Sequence, residues 1–335
     1  MAGLRSFARG TWRSFKGLVK GNTHLRQGYL RLKGGFHRAR LRGAGLGTNP
    51  AGGGARSGRV DPAKIVWIFC TSRSGSTWLR SMMEDLAPGE TWEEPKVAKL
   101  FGGFLESALE EQLDSTNFVM GNPTRESWIS SIRNFVLDAA SACNPSLKAG
   151  QFLLVKEPDG GAGAPLMMEA LPESRMVLLV RDPRDVASSA LDATKEGAWM
   201  NETPSRAPGR RTLSERKPDV FVNRRSKSYL RQITNAKRAY DAHEGLKALV
   251  RYEDLRSDTL GTMRRLCAEL AIPVGEERLA RVVEKHSWEN VPKAEKGEGK
   301  FYRKATPGGW QEELTPEQVR IVEEITAPLL REFYP

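Results

Sequence analysis

The stretch that decides the fold runs from Lys64 to Met83, KIVWIFCTSRSGSTWLRSMM. Lys64 to Cys70 is apolar and β-rich, the pattern of a buried parallel strand. Thr71-Ser72-Arg73-Ser74-Gly75-Ser76-Thr77 follows directly, and Trp78-Leu79-Arg80-Ser81-Met82-Met83 then takes up helical spacing. Strand, small-residue loop and helix together form a phosphate cradle. Backbone N–H groups of the loop and helix N-terminus converge on one place, and the helix dipole adds positive potential there. The hydroxyls of Ser74, Ser76 and Thr77 add further donors. The stretch departs from the nucleotide-triphosphate pattern GxxxxGKS/T: Gly75 and Thr77 are in place, but Ser76 stands at the lysine position and no glycine opens the loop. The cation sits earlier, at Arg73. Taken alone, a serine-rich turn before a helix accounts for the loop equally well.

A second buried strand, Met176 to Val180 (MVLLV), leads into Arg181-Asp182-Pro183-Arg184-Asp185-Val186-Ala187-Ser188-Ser189. Asp182 suits a helix N-cap, Pro183 the first helical position, and Asp185 the position of a capping-box acid. Arg181 at the strand end and the hydroxyl of Ser189, two turns into the helix, then face a common pocket. A fork-shaped guanidinium with neutral donors suits a terminal phosphate monoester. A structural ion pair between Arg181 and Asp185 is the plainer reading.

These two motifs carry a family resemblance. Arg73-Ser74-Gly75-Ser76-Thr77-Trp78 resembles the 5′-phosphosulfate loop of PAPS-dependent sulfotransferases. The Arg181 to Ser189 string resembles that family's 3′-phosphate motif, R-D/N-P-K/R-D-x-x-x-S, with Arg181 and Ser189 at the binding positions. Leu249 to Leu255 (LVRYEDL) resembles the strand carrying the family's YEDL, whose tyrosine, here Tyr252, lies against adenine. Phe301-Tyr302-Arg303-Lys304-Ala305 with Gly308-Gly309-Trp310 resembles the RKG…GDW segment that closes over the 3′-phosphate. Ala305 and Gly309 replace its glycine and aspartate, while Arg303 and Lys304 remain. Leu314-Thr315-Pro316-Glu317-Gln318 repeats the helix start that follows. The likeness runs collinearly from Ile65 to Pro335.

The resemblance implies a three-layer α/β/α fold around a central, mostly parallel sheet. It implies PAPS as co-substrate, no metal, and transfer of a sulfuryl group to an acceptor hydroxyl or amine with release of PAP. Arg73, Ser74, Gly75, Ser76, Thr77, Trp78, Arg181, Ser189, Tyr252, Arg303 and Lys304 are then the nucleotide-binding residues. Two rival readings stand beside it: a P-loop kinase or NTPase, and a membrane-binding protein with a degenerate nucleotide site. The missing GKS/T and the lack of a Walker-B acid after an apolar strand count against the first.

Sulfuryl transfer is an in-line displacement, so the acceptor oxygen must lose a proton and the leaving phosphate oxygen must be stabilised. Arg73, beside the phosphosulfate, is the group for the leaving oxygen. The family's cytosolic members place a histidine in a K-x-H-x-P context after a strand. Here the strand Gln151 to Val155 leads into Lys156-Glu157-Pro158, and Pro158 takes the histidine position. His24, His37, His243 and His286 all lie outside the motifs, so a carboxylate is the expected base. Glu94, in Glu93-Glu94-Pro95 beyond the first helix, matches the placing of a catalytic glutamate in tyrosylprotein and carbohydrate sulfotransferases. It is the first candidate, and Glu157 is the second. Lys156 matches the family's post-strand lysine, which touches the transferring sulfuryl oxygens. A solvated loop acid and a surface lysine are the bland alternatives. The acceptor pocket falls on Glu90 to Ile132 and Asp192 to Tyr229, where Trp92, Phe101, Phe104, Trp128 and Trp199 accompany a basic stretch, Arg206 to Lys217. A glycan, a lipid or a small molecule would each fit that composition.

The chain has 335 residues, 39% of them hydrophobic and 28% charged, with a net charge of +11. The charge is unevenly placed. Residues 1–60 hold 13 of the 52 Lys and Arg and no acid, which leaves 39 basic against 41 acidic side chains, a net of −2, on the rest. Within Leu4 to Lys20, Leu4, Phe7, Trp12, Phe15 and Leu18 recur at helical steps with Arg5, Arg9, Arg13, Lys16 and Lys20 on another side. Such a helix fits the surface of an anionic membrane. A solvated extension packed on its own domain and an organellar transit peptide are the other readings. Gly43 to Gly58 is glycine-dense and reads as a flexible linker. The expected organisation is a basic segment at 1–42, a linker at 43–60 and a catalytic domain at 61–335. Three cysteines form no disulfide framework or zinc spacing, and no apolar run spans a bilayer, so a cytoplasmic enzyme, soluble or peripheral on a membrane, is expected. The amphipathic pattern points away from nucleic acid as a partner.

Overall fold

The computed structural model describes residues 60–110, 124–195, 198, 212–300, 302, 304 and 306–335. The expectations for the basic segment 1–42, the linker up to residue 59, Trp199 and Arg303 lie outside the described residues.

Five strands form one sheet. In chain order they are β1 (Ile65–Cys70), β2 (Gly89–Glu93), β3 (Phe152–Pro158), β4 (Arg175–Val180) and β5 (Lys247–Arg251). Their order across the sheet is β2-β3-β1-β4-β5, and every pairing is parallel. The sheet is therefore wholly parallel, where the sequence implied mostly parallel. Between β1 and β2 lies α1 (Ser76–Leu86); α2 (Val97–Glu110) and α3 (Arg125–Cys143) precede β3, and α4 (Ala164–Ala170) precedes β4. After β4 come α5 (Pro183–Ala193), α6 (Leu213–Arg216) and α7 (Pro218–Ala242). After β5 come α8 (Tyr252–Ser257), α9 (Thr259–Glu269), α10 (Glu276–Lys285), α11 (Trp310–Glu313) and α12 (Pro316–Phe333).

Residues of β1 and β4 are buried along their whole lengths because helices cover both faces of the sheet. Alternation divides the core in two. Ile65, Trp67, Phe69, Leu153 and Val155 pack with α3, α4, α7 and α12, whereas Val66, Ile68, Cys70, Phe152 and Leu154 pack with α1, α9 and α10. At about 25 cal/mol per Å² of apolar area, these two layers supply most of the drive to fold.

Three local differences from the sequence reading matter for the site. Strand β3 continues through Lys156 and Glu157 to Pro158, paired to β1 as far as Cys70, so Lys156 and Glu157 point to opposite faces. Strand β5 ends at Arg251, and Tyr252 opens a helix rather than lying within a strand. Asp182 is the N-cap of α5, accepting from Arg184 N at 2.8 Å, with Pro183 at the first position. Asp185 does not close a capping box: its carboxylate accepts instead from Gly308 N at 2.8 Å and Trp310 N at 3.1 Å. Capping boxes form instead at Thr212 with Glu215, at the start of α6, and at Thr315 with Gln318, at the start of α12.

Candidate active site

In an open parallel sheet, ligands bind outside the carboxyl ends of strands where the winding reverses. Here the chain crosses from β1 to β2 on one side of the sheet and, after β3, to β4 on the other. The C-terminal ends of β1, β3 and β4 thus border a crevice. A cavity of about 400 Å³ opens there, and each of the five strands sends it a residue from its end or the loop beyond: Arg73 after β1, Glu94 after β2, Lys156 in β3, Arg181 after β4 and Tyr252 after β5.

The loop after β1 is shaped by its own sequence. Gly75 has a φ of 84°, a left-handed conformation that glycine adopts without cost, and it is the N-cap of α1. A Cβ on Gly75 would lie 2.5 Å from Cδ2 of Tyr252, so a side chain there would strike the tyrosine ring. Arg73 also has a positive φ, 74°, which turns its carbonyl toward Arg181. Arg181 Nη1 donates to Arg73 O at 3.0 Å, and Arg73 Nε donates to Ser189 Oγ at 3.0 Å. The two phosphate motifs therefore interlock through their arginines. Arg181 also lies 4.3 Å over the ring of Tyr252, and Trp78 meets Tyr252 edge to face at 6.3 Å. The indole of Trp78 is fixed by donating to His286 O at 2.8 Å.

Arg73, Gly75, Ser76, Thr77, Trp78, Arg181, Ser189, Tyr252 and Lys304 all line the cavity. Ser74 does not. Its hydroxyl is buried and shares a hydrogen bond with Thr71 Oγ1 at 2.9 Å, so it stiffens the loop from behind. Lys304 reaches the cavity while paired with Glu313 at 2.8 Å. The plain ion pair between Arg181 and Asp185 is present but long, 3.9 Å.

At the other end, Lys156 is 3% exposed, and its ammonium lies 2.8 Å from both Glu93 Oε1 and Glu94 Oε1. It donates to Thr77 Oγ1 at 3.4 Å, which ties it to the first turn of α1. Burial by itself would depress this ammonium, but the two carboxylates outweigh it and hold Lys156 above the usual lysine range. Glu94 has a φ of 48°, and its N–H donates to Lys156 O at 3.0 Å, which sets its carboxylate at the cavity wall.

Glu157 sits apart. It is fully buried on the opposite face of β3, does not line the cavity, and its Oε1 accepts from Val97 N at 2.7 Å and Ala98 N at 3.4 Å. It caps the start of α2. Its other oxygen is buried without a hydrogen-bond partner, and burial pushes the carboxyl up to about 7 despite the backbone donors.

Residues outside the sequence motifs complete the site. Arg225, from the middle of α7, donates to Ser72 O and Ser72 Oγ at 2.6 Å and lies 3.8 Å from Asp159, bracing the phosphate loop. His286, outside every motif, lines the cavity with its Nε2 at 2.6 Å from Asp85 Oδ2. Lys96 and Lys99 line the cavity beside Glu94. Two signals in the sequence could have flagged the lysines: nearness to Glu94, and two cations in a short Pro-bounded segment. Arg225 and His286 carry no local signal at all.

This arrangement, a phosphate loop after β1 and a guanidinium with a hydroxyl after β4, defines an α/β group-transfer enzyme acting on a phosphorylated nucleotide. The sulfotransferase domain family matches residues 162–334, just over half of the chain, and the chain belongs to that family of PAPS-dependent enzymes. Among solved structures, it is similar to a mouse sulfotransferase complexed with PAP, at 14% identity and a TM-score of 0.51, covering 82% of this chain and 87% of that one. It is also similar to retinol dehydratase in complex with androsterone and PAP, at 17% identity and 0.46, covering 82% and 83%. A sulfotransferase from Mycobacterium avium matches at 12% identity and 0.43, covering 82% and 78%. These likenesses concern the fold. A comparison with curated proteins returned no match. Among the described residues, no helix is long and apolar enough to cross a membrane.

Proposed function

We propose that the protein transfers the sulfuryl group of PAPS to an acceptor hydroxyl, with Glu94 as general base. The observation that carries this reading is the line Glu94–Lys156–Thr77, which joins a carboxylate at the cavity wall to the first turn of the phosphate loop's helix. PAPS supplies an activated sulfur with PAP as leaving group. The acceptor oxygen forms the new S–O bond while the bond from sulfur to the 5′-phosphate oxygen breaks. That bonding pair leaves with PAP, and the acceptor's proton passes to Glu94.

The remaining roles follow from position. The loop N–H groups from Gly75 to Thr77 and the N-terminus of α1 receive the phosphosulfate. Arg73 stabilises the charge that grows on the leaving oxygen. Arg181 and Ser189 hold the 3′-phosphate, and Tyr252 and Trp78 offer aromatic surfaces to the base. Lys156, a cation between Glu94 and the loop, faces the sulfuryl oxygens. The place of Glu157 on the far face of β3, away from the cavity, favours Glu94 over it as the base. Arg303, outside the described residues, keeps the nucleotide-binding role that the resemblance implies.

The mouse enzyme and retinol dehydratase are both described with PAP, and the latter with androsterone, a hydroxyl-bearing molecule. Those ligands are consistent with the cavity's cationic and aromatic walls. The test is Glu94→Gln. It is expected to lower kcat at least about a hundredfold, the usual range for a lost general base. PAP binding should be retained. A near-native rate in a folded variant would remove Glu94 from the base role.

A further inference from the structure

We propose that the acceptor is an anionic alcohol: a hydroxyl compound that also carries a phosphate, carboxylate or sulfate group, held by Lys96 and Lys99. The proposal rests on the sulfuryl-transfer reading and specifies its acceptor class. It starts from how the cations of the cavity are used. Lys156 is neutralised by Glu93 and Glu94, and Lys304 by Glu313. Arg73 and Arg181 are interlocked through the two phosphate motifs. Lys96 and Lys99 also line the cavity, yet neither ammonium pairs with a carboxylate among the described residues.

Sheet order separates these two lysines from the nucleotide. They follow β2, at one edge, whereas Arg181 and Tyr252 follow β4 and β5 on the far side of β1. A nucleotide seated on Arg73, Arg181 and Tyr252 therefore has its sulfuryl end toward Lys156 and leaves the β2 edge to the acceptor. That edge holds the base, Glu94, which shares the ammonium of Lys156 with Glu93. What remains among the described residues is two ammonium groups with no carboxylate partner, one just before α2 and one in its first turn, both on the cavity wall. The cavity's other acid, Asp159, lies 3.4 Å from Ser72 N and is turned to the phosphate loop and Arg225. Two ammonium groups placed in this way raise the local concentration of anions and orient them. They would favour a neutral acceptor in no way. The device that fixes them is buried: Glu157 accepts from the first N–H groups of α2, which sets the turn carrying both lysines.

The experiment uses the full chain, radiolabelled PAPS and an extract of its own cells, passed over an anion exchanger to give an anionic pool and a flow-through. The wild type is expected to label the anionic pool at least tenfold more than the flow-through. The double variant Lys96→Glu, Lys99→Glu should lose at least tenfold of that labelling while PAP shifts its Tm as it does the wild type. Phosphatase treatment of the anionic pool then separates phosphate-bearing from carboxylate- or sulfate-bearing acceptors. Preferential labelling of the flow-through, or labelling of the anionic pool that survives the charge reversal, overturns the proposal. If PAP fails to shift the Tm of the wild type, the failure lies with the sulfuryl-transfer reading itself.

Discussion

At the scale of single residues, one strand position separates two glutamates that look equivalent in sequence. Glu94 and Glu157 both neighbour Lys156, but β3 runs three residues further than its apolar core, and alternation sends Glu157 to the far face. There the carboxyl has a folded pKa of about 7, above its ordinary 4.5, because it is buried. A carboxyl raised in this way holds its proton in the folded state after the unfolded chain has released it. Stability from this group is therefore fully present below about pH 4.5, falls as pH rises toward about 7, and is level above that. The loss amounts to at most about 3 kcal/mol. Glu157→Gln keeps an acceptor for Val97 N and removes the titration. Its urea midpoint should be flat across that range while the wild type's declines, and parallel profiles would show that Glu157 does not titrate there.

At the scale of elements, the site depends on joints between segments. Gly75→Ala would force a left-handed φ on alanine and drive its Cβ into Tyr252, so it should weaken PAP binding at least tenfold and cost about 1 kcal/mol of stability or more. Calorimetry with PAP measures the first and urea unfolding the second; unchanged values for both would mean that the loop rearranges freely. Asp185 joins α5 to the segment before α11 by accepting from Gly308 N and Trp310 N, with 1% of its surface exposed. Asp185→Ala strands those amides and should cost about 2 kcal/mol, within the usual range for unmet buried partners. A loss below about 0.5 kcal/mol would show that water replaces the carboxylate there.

Much of this was legible in sequence because its signals are local. The apolar runs of β1 and β4, the glycine and hydroxyls after β1, and the Asp182-Pro183 helix start each carry their reason within a few residues. The sheet and the convergence of Arg73, Arg181, Ser189 and Tyr252 follow from those signals. What could not be read depends on distant contacts. Asp185 matched a local capping pattern, but amides 123 and 125 residues away are its partners. Arg225 reaches Ser72 across 153 residues, and His286 enters the cavity wall through α10. The extension of β3 was hidden by charge, since Lys156 and Glu157 do not look like strand core. Their burial is made tolerable by Glu93, Glu94 and the N–H groups of α2.

At the scale of the whole molecule, charge is divided by task. Residues 1–60 carry +13 and the remainder −2, so the nucleotide site must focus its cations locally rather than draw on net charge. The basic amphipathic pattern at 1–42 is proposed to rest on an anionic membrane surface. Deleting residues 1–58 is expected to abolish sedimentation with anionic liposomes and to leave PAP affinity unchanged. Continued sedimentation of the truncated chain would assign any membrane binding to another part of the protein. The central claim is that the crevice at the ends of β1 and β4 receives a 3′-phosphorylated adenosine nucleotide rather than a nucleoside triphosphate. Its most direct measurement is thermal unfolding of the full chain with PAP or with ATP and magnesium, each at saturating concentration. A ligand at a hundred times its Kd adds about 2.7 kcal/mol, which for a domain of this size raises Tm by roughly 5 °C or more. The account predicts that shift with PAP and little or none with ATP and magnesium; a shift with ATP and magnesium alone would contradict it.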